Sequence, residues 1–181
     1  MVTLKNGQWE DRAGRIRVTF VRDFLVTGDL NADGIAEAAV LIAESGGGTG
    51  ENIYLALVER AGTRLRNIAT TLVGDRVQIR NGRTSGNMVI LDVAQAGAAD
   101  PLCCPGELAT RAWRREGSAL REEPAIATGR LSPSILAAET WTLRNWDLDT
   151  PSDSVPPITL RVQNGVVTGF AGCNTYRAPA R

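Results

Sequence analysis

Histidine is absent from the 181 residues, and that gap removes more chemistry than any residue present supplies. Without imidazole there is no Ser-His-Asp triad, no Cys-His pair, no histidine base and no histidine metal ligand. Lysine is nearly as scarce. Lys5 is the one lysine, so a Ser-Lys dyad would have to use "LKNGQWE", which reads as a hairpin at the N-terminus. The adjacent Glu122 and Glu123 point to opposite faces of an extended segment and cannot act together on one substrate. These gaps set the expectation of a protein that is not an enzyme.

Long apolar runs are also missing. No segment approaches the ~20 residues of a membrane-spanning helix, so no transmembrane segment is expected. "VTLKNGQWE" follows Met1 directly with no apolar signal region, so a signal or lipoprotein leader of an exported protein would lie outside this chain. Aromatic residues make up only 5%, which favours Trp113, Trp141 and Trp146 as core anchors over a stacking platform. The 20 basic and 20 acidic residues cancel, and no net field draws in nucleic acid. Arg111, Arg114, Arg115 and Arg121 are interleaved with Glu116, Glu122 and Glu123, as on a solvated hairpin.

What is present is mostly extended. "RIRVTFV", "AEAAVLIAE", "NIYLALVER", "DRVQIR", "NMVILDVAQ" and "LATRAWRRE" are strand-like segments separated by Gly, Asn and Asp clusters. "SGGGTG" joins two of them as a hairpin loop, because Glu51 stands where a phosphate-binding loop needs lysine. The pattern predicts a mainly β fold: an antiparallel meander or sandwich over residues 1–123, a linker over 124–132 and a smaller β-rich segment over 133–181. One short helix is expected in "SPSILAAET", with Ser132 as N-cap and Pro133 at its first position.

"GDLNADGIAE" carries the most legible local chemistry. Counting Asp29 as position 1, Asn31, Asp33, the Ile35 carbonyl and Glu37 fall at positions 3, 5, 7 and 9, with Gly34 allowing a sharp reversal. An EF-hand needs a bidentate glutamate at position 12, where Val40 stands. Two readings remain open. One is a structural calcium ion held by Asp29, Asn31, Asp33, Ile35 and Glu37, as in the shorter loops of FG-GAP and dockerin-type sites, which this turn resembles. The other is an Asx-type turn without metal.

"DPLCCPGE" places Cys103 and Cys104 side by side between two prolines. A structural zinc site or a thioredoxin-like centre would need Cys-x-x-Cys spacing, which the chain lacks. A vicinal disulfide, or bonds from either thiol to a more distant cysteine, are the surviving readings, with Cys173 a candidate unpaired thiol.

From residue 141 the order Trp-x-Leu, "PITLRV", "QNG" and "VVTGFAGCNTY" resembles the opening of a META domain, the family of HslJ-like bacterial envelope proteins. The resemblance covers about 40 residues, less than half of a complete META domain. It implies a small β-rich domain in the periplasm or outer cell envelope, exported or lipid-anchored, associated with stress response, with no established activity or ligand. A truncated domain leaves strand edges and apolar residues such as Val167 and Phe170 in need of cover, so packing on the N-terminal sheet or self-association is expected. The resulting expectation is a non-enzymatic envelope protein with a structural, stress-response or ligand-binding role, its ligand or envelope partner unidentified. The alternative is a thiol redox or sensing protein using Cys103 and Cys104.

Overall fold

The computed structural model describes residues 2–101, 103–137, 139–144 and 152–180. It is mainly β, as the alternating patterns predict, and every paired strand is antiparallel. Among the described residues, ten strands lie up to and including Arg130: β1 Gln8–Glu10, β2 Arg17–Gly28, β3 Glu37–Ser45, β4 Glu51–Ala61, β5 Arg64–Asp75, β6 Gln78–Ser85, β7 Met88–Gln95, β8 Glu107–Glu116, β9 Ala119–Glu122 and β10 Ile126–Arg130. Four follow: β11 Thr140–Thr142, β12 Thr159–Gln163, β13 Val166–Phe170 and β14 Thr175–Pro179.

The chain divides into two compact units, Met1–Arg130 and Leu131–Arg181. In the first, β1 to β5 form one meander, and β10, β8, β7 and β6 form a second sheet with β9 paired to β8. Residues from both sheets build one core. Leu41, Leu55 and Leu57 from β3 and β4 share it with Val89, Leu91, Val93 and Trp113 from β7 and β8. At the centres of β3 and β4 consecutive residues are buried (Ala39, Val40 and Leu41; Leu55, Ala56 and Leu57), so both faces are covered there. That is why these two segments read as unbroken apolar runs.

The two sheets are locked where β2 meets β6. Pairing of β2 with β3 breaks between Phe20 and Leu25, freeing Phe24 from the regular ladder. Its ring occupies the space over Gly82, where a Cβ atom would stand 2.5 Å from Phe24 Cε2. Two residues on, Thr84 Oγ1 donates to the carbonyl of Thr27 at 3.0 Å. A close approach and an exposed side-chain hydrogen bond thus specify one register between sheets.

The expected linker is in part a strand. Residues 126–130 pair with β8 as an edge strand, with a register shift between Ala127 and Gly129, so the first unit runs to Arg130. Backbone pairing, invisible in a Pro- and Gly-rich composition, decides this. β5 was likewise not among the expected strands: its arginines and threonines mask an edge strand that pairs with β4 over most of its length.

In the second unit, β11, β12, β13 and β14 form a four-stranded sheet. Asn164 and Gly165 both have positive φ (51° and 71°) at the "QNG" turn between β12 and β13, the geometry that a two-residue hairpin requires. Val162 is buried on this sheet, while Val167 and Phe170 are half-buried. The expected helix is a single 3-10 turn, Pro133–Leu136, with the Ser132 side chain capping the Ser134 amide as the sequence predicts. No helix among the described residues is long and apolar enough to cross a membrane.

Candidate functional site

The acidic turn sits between β2 and β3, and its polar atoms are satisfied largely by the turn itself. The Asp29 carboxylate accepts from the amides of Asp33 (3.1 Å) and Gly34 (2.8 Å). Asn31 Oδ1 accepts from Asp33 N, and Asp33 Oδ1 accepts from Ile35 N at 2.8 Å. Asn31 Nδ2 donates to Asp33 Oδ2 at 2.8 Å. The Gly34 amide leads the causes that hold the Asp29 carboxyl below the usual carboxylate range. Gly34 and Ala32 both take positive φ, 85° and 62°, which gives the loop its reversal.

Glu37 is turned elsewhere. It is the first residue of β3 and only 2% exposed; its Oε2 accepts from Leu30 N at 2.8 Å and its Oε1 lies 2.6 Å from Arg115 Nη1. That guanidinium nitrogen is itself buried and lacks directed hydrogen-bond geometry, so the contact is an ionic pairing. Arg115 is held by its own neighbourhood as well: its amide donates to Asn87 O at 2.8 Å and its Nε donates to Gly117 O at 3.1 Å. Four of the five sequence-predicted calcium ligands, Asp29, Asn31, Asp33 and Ile35, thus occupy one turn while Glu37 starts β3, and the carboxylate oxygens of Asp29, Asp33 and Glu37 are engaged by amides or by an arginine. No group of three or more Cys, Asp or Glu residues among those described is arranged to hold a metal ion.

The turn instead forms one wall of a cleft. Asp29, Leu30, Asn31 and Ala32 meet Gly86 and Asn87 from the β6–β7 turn, and Arg115 and Gly117 from the end of β8, around a volume of about 480 Å³. Three turns drawn from both sheets converge there because the β2–β6 contact and the Glu37–Arg115 pair bring the same end of each sheet together. The lining mixes carboxylate, carboxamide, guanidinium and turn backbone, a surface suited to a polar, hydrogen-bonding ligand.

Arg111 and Arg114 of the same interleaved cluster have structural partners. Arg111 donates to Val73 O at 2.6 Å, pairs with Glu122 at 2.5 Å and lies 5.0 Å from the Trp113 ring centroid. Arg114 pairs with Glu123 at 2.7 Å. Of the tryptophans expected as core anchors, Trp113 is fully buried in the first unit, whereas Trp141 of the second is exposed and donates to Leu136 O at 3.1 Å; Trp146 lies outside the described residues.

The β7–β8 loop carries the cysteine pair. Cys103 and Cys104 are joined as a vicinal disulfide and both are exposed, while Cys173 is a free, exposed thiol that accepts a contact from Asn174 Nδ2 at 3.4 Å. Below the pair, Asp100 accepts from Gly97 N (2.9 Å) and Gly106 N (3.0 Å) and pairs with Arg130 of β10. Arg130 first, then the two amides, lower the Asp100 carboxyl to about 2. Neither Asp100 nor the Glu37–Arg115 pair was singled out from sequence for these roles. A lone aspartate before "PLCCP" was the only local signal for the first; the second joins residues 78 positions apart, as the numbering itself gives.

No family model, curated protein or solved structure matches the chain.

Proposed function

We propose that this chain is a non-enzymatic protein of the bacterial cell envelope, periplasmic or lipid-anchored, whose N-terminal unit binds a polar ligand or partner in the cleft between the acidic turn, the β6–β7 turn and the end of β8. The observation that carries the reading is the convergence of three turns from two sheets around about 480 Å³, a size and position typical of ligand sites. The commitment of Arg111, Arg114, Arg115 and Arg130 to ion pairs supports a binding role over a catalytic one. The envelope assignment draws on the META resemblance of the second unit. Among the described residues β11 and β14 are the outer strands of its sheet, an arrangement suited to pairing with another copy.

Two measurements test this. A chromosomally tagged copy should fractionate with the periplasm or outer envelope; recovery from the cytosol defeats the compartment. The small-molecule fraction of osmotic-shock fluid, added to labelled protein, should shift the amide resonances of Asn31, Asn87 and Gly117 first. Asn87→Trp, which fills the cleft from an exposed turn, should abolish the shifts. Shifts confined to other regions, or unchanged by Asn87→Trp, defeat the cleft.

A further inference from the structure

The cysteine loop divides its labour between two sets of bonds. Its base is held by Asp100, which gathers the Gly97 and Gly106 amides and the Arg130 side chain, and its bend by a hydrogen bond from Cys104 N to Pro101 O at 2.9 Å. None of these needs the sulfur–sulfur bond. A disulfide stabilises a fold mainly by closing a long loop in the unfolded chain, and this one joins residues with a sequence separation of 1. It therefore staples almost nothing. Both cysteines are exposed on a loop, whereas disulfides that serve as staples are protected, and exposed ones are the exchangeable ones.

We propose that Cys103–Cys104 is a two-electron thiol-exchange site for an external dithiol, opening and closing on a loop whose shape is maintained by Asp100. A donor thiolate attacks one of the two sulfurs; the Cys103–Cys104 bond breaks, a mixed disulfide forms, and the released cysteine thiolate takes a proton. The donor's second thiolate then attacks its own sulfur in the mixed disulfide. The second cysteine leaves as a thiolate and takes a proton, and the donor departs as a disulfide. Two electrons and two protons have moved to the protein, the donor is oxidised, and the pair stands as a dithiol ready to hand them on. Adjacency makes reclosure intramolecular, and the fixed loop base keeps the two sulfurs near each other. Asp100 is a positioning residue in this scheme. The inference concerns a different part of the first unit and stands independently of the cleft.

The test uses the full chain as Cys173→Ser, equilibrated in buffers of reduced and oxidised dithiothreitol, quenched with an alkylating agent and weighed intact. The reduced protein should carry two labels and the oxidised protein none, reversibly, with the melting temperature unchanged between the two. Transfer of the reduced protein into excess oxidised dithiothreitol, which takes up the two electrons and two protons, should restore the unlabelled form without dimers. Asp100→Asn should slow reclosure several-fold while leaving the number of labels in reducing buffer at two, a split that a merely structural role would not produce. Failure to take label in excess reduced dithiothreitol, loss of the folded state on reduction, or intermolecular products on reoxidation would each overturn the proposal. Cys103→Ser with Cys104→Ser serves as the folding control: a normal melting curve supports the division of labour, and a collapsed one contradicts it.

Discussion

Arg115 Nη1 of β8 lies 2.6 Å from Oε1 of Glu37 on β3, an ion pair that joins the two sheets of the first unit beneath the candidate cleft. The side chains are only 10% and 3% exposed, so neither charge can fall back on water if its partner is removed. Arg115→Ala should cost about 3–5 kcal/mol by leaving a buried carboxylate uncompensated. The double change Arg115→Met with Glu37→Leu should recover most of that loss, because the penalty belongs to the unpaired charge and not to the missing attraction. Urea denaturation of Arg115→Ala and of the double variant decides it. Equal destabilisation by single and double variants would count against the pairing.

Asp100 should contribute to the acid limit. Its folded pKa of about 2, lowered by Arg130 and two amides, lies below the ordinary aspartate value near ~4, so the stabilisation it provides is fully present above ~4 and is lost as pH falls through about 2. Asp92, lowered first by the Thr110 hydroxyl and also by Arg83, and Asp29, lowered first by the Gly34 amide, act in the same direction. Thermal melts from pH 5 to pH 2 should show a falling midpoint whose slope is shallower in Asp100→Asn. An identical slope in wild type and variant would remove Asp100 from the account.

The β2–β6 lock can be tested by adding one methyl group. Gly82→Ala places a Cβ 2.5 Å from the Phe24 ring and should destabilise the first unit by about 1–3 kcal/mol. Thr84→Val, which removes the donor to Thr27 O, should cost about 1 kcal/mol. Gly82→Ala combined with Phe24→Leu should be milder than Gly82→Ala alone. Additive losses would show that the two side chains do not share the space.

With Glu37 paired to Arg115, the acidic turn is short of one carboxylate that a calcium site at this spacing would use. Melting temperatures in millimolar calcium and in chelator should therefore coincide. A rise with calcium that Asp33→Ala removes would show that Asp29, Asn31, Asp33, Ile35 and Glu37 rearrange into an ion site, with Glu37 leaving Arg115 to do so.

Alternating and continuous apolar patterns, with Gly and Asn between them, were enough to read the mainly β character, the β3–β4 hairpin through "SGGGTG", the "QNG" turn and the Ser132 cap. Each of these is a local matter of side-chain period, φ preference or a neighbour's hydroxyl. The polar residues were harder. Glu37 follows the acidic turn at a calcium-ligand spacing, and spacing alone cannot register that Arg115 approaches it from the other sheet. Asp100 looked like part of a loop until Arg130 came to its side in β10, a strand hidden in a stretch with linker-like composition. Burial and charge pairing depend on which distant residues share a volume, and that is set by how two sheets pack, with Phe24 seated over Gly82. The chain's own order determined where it extends and where it turns; only the tertiary structure decided which turns meet, which charges are neutralised and where a cleft is left open.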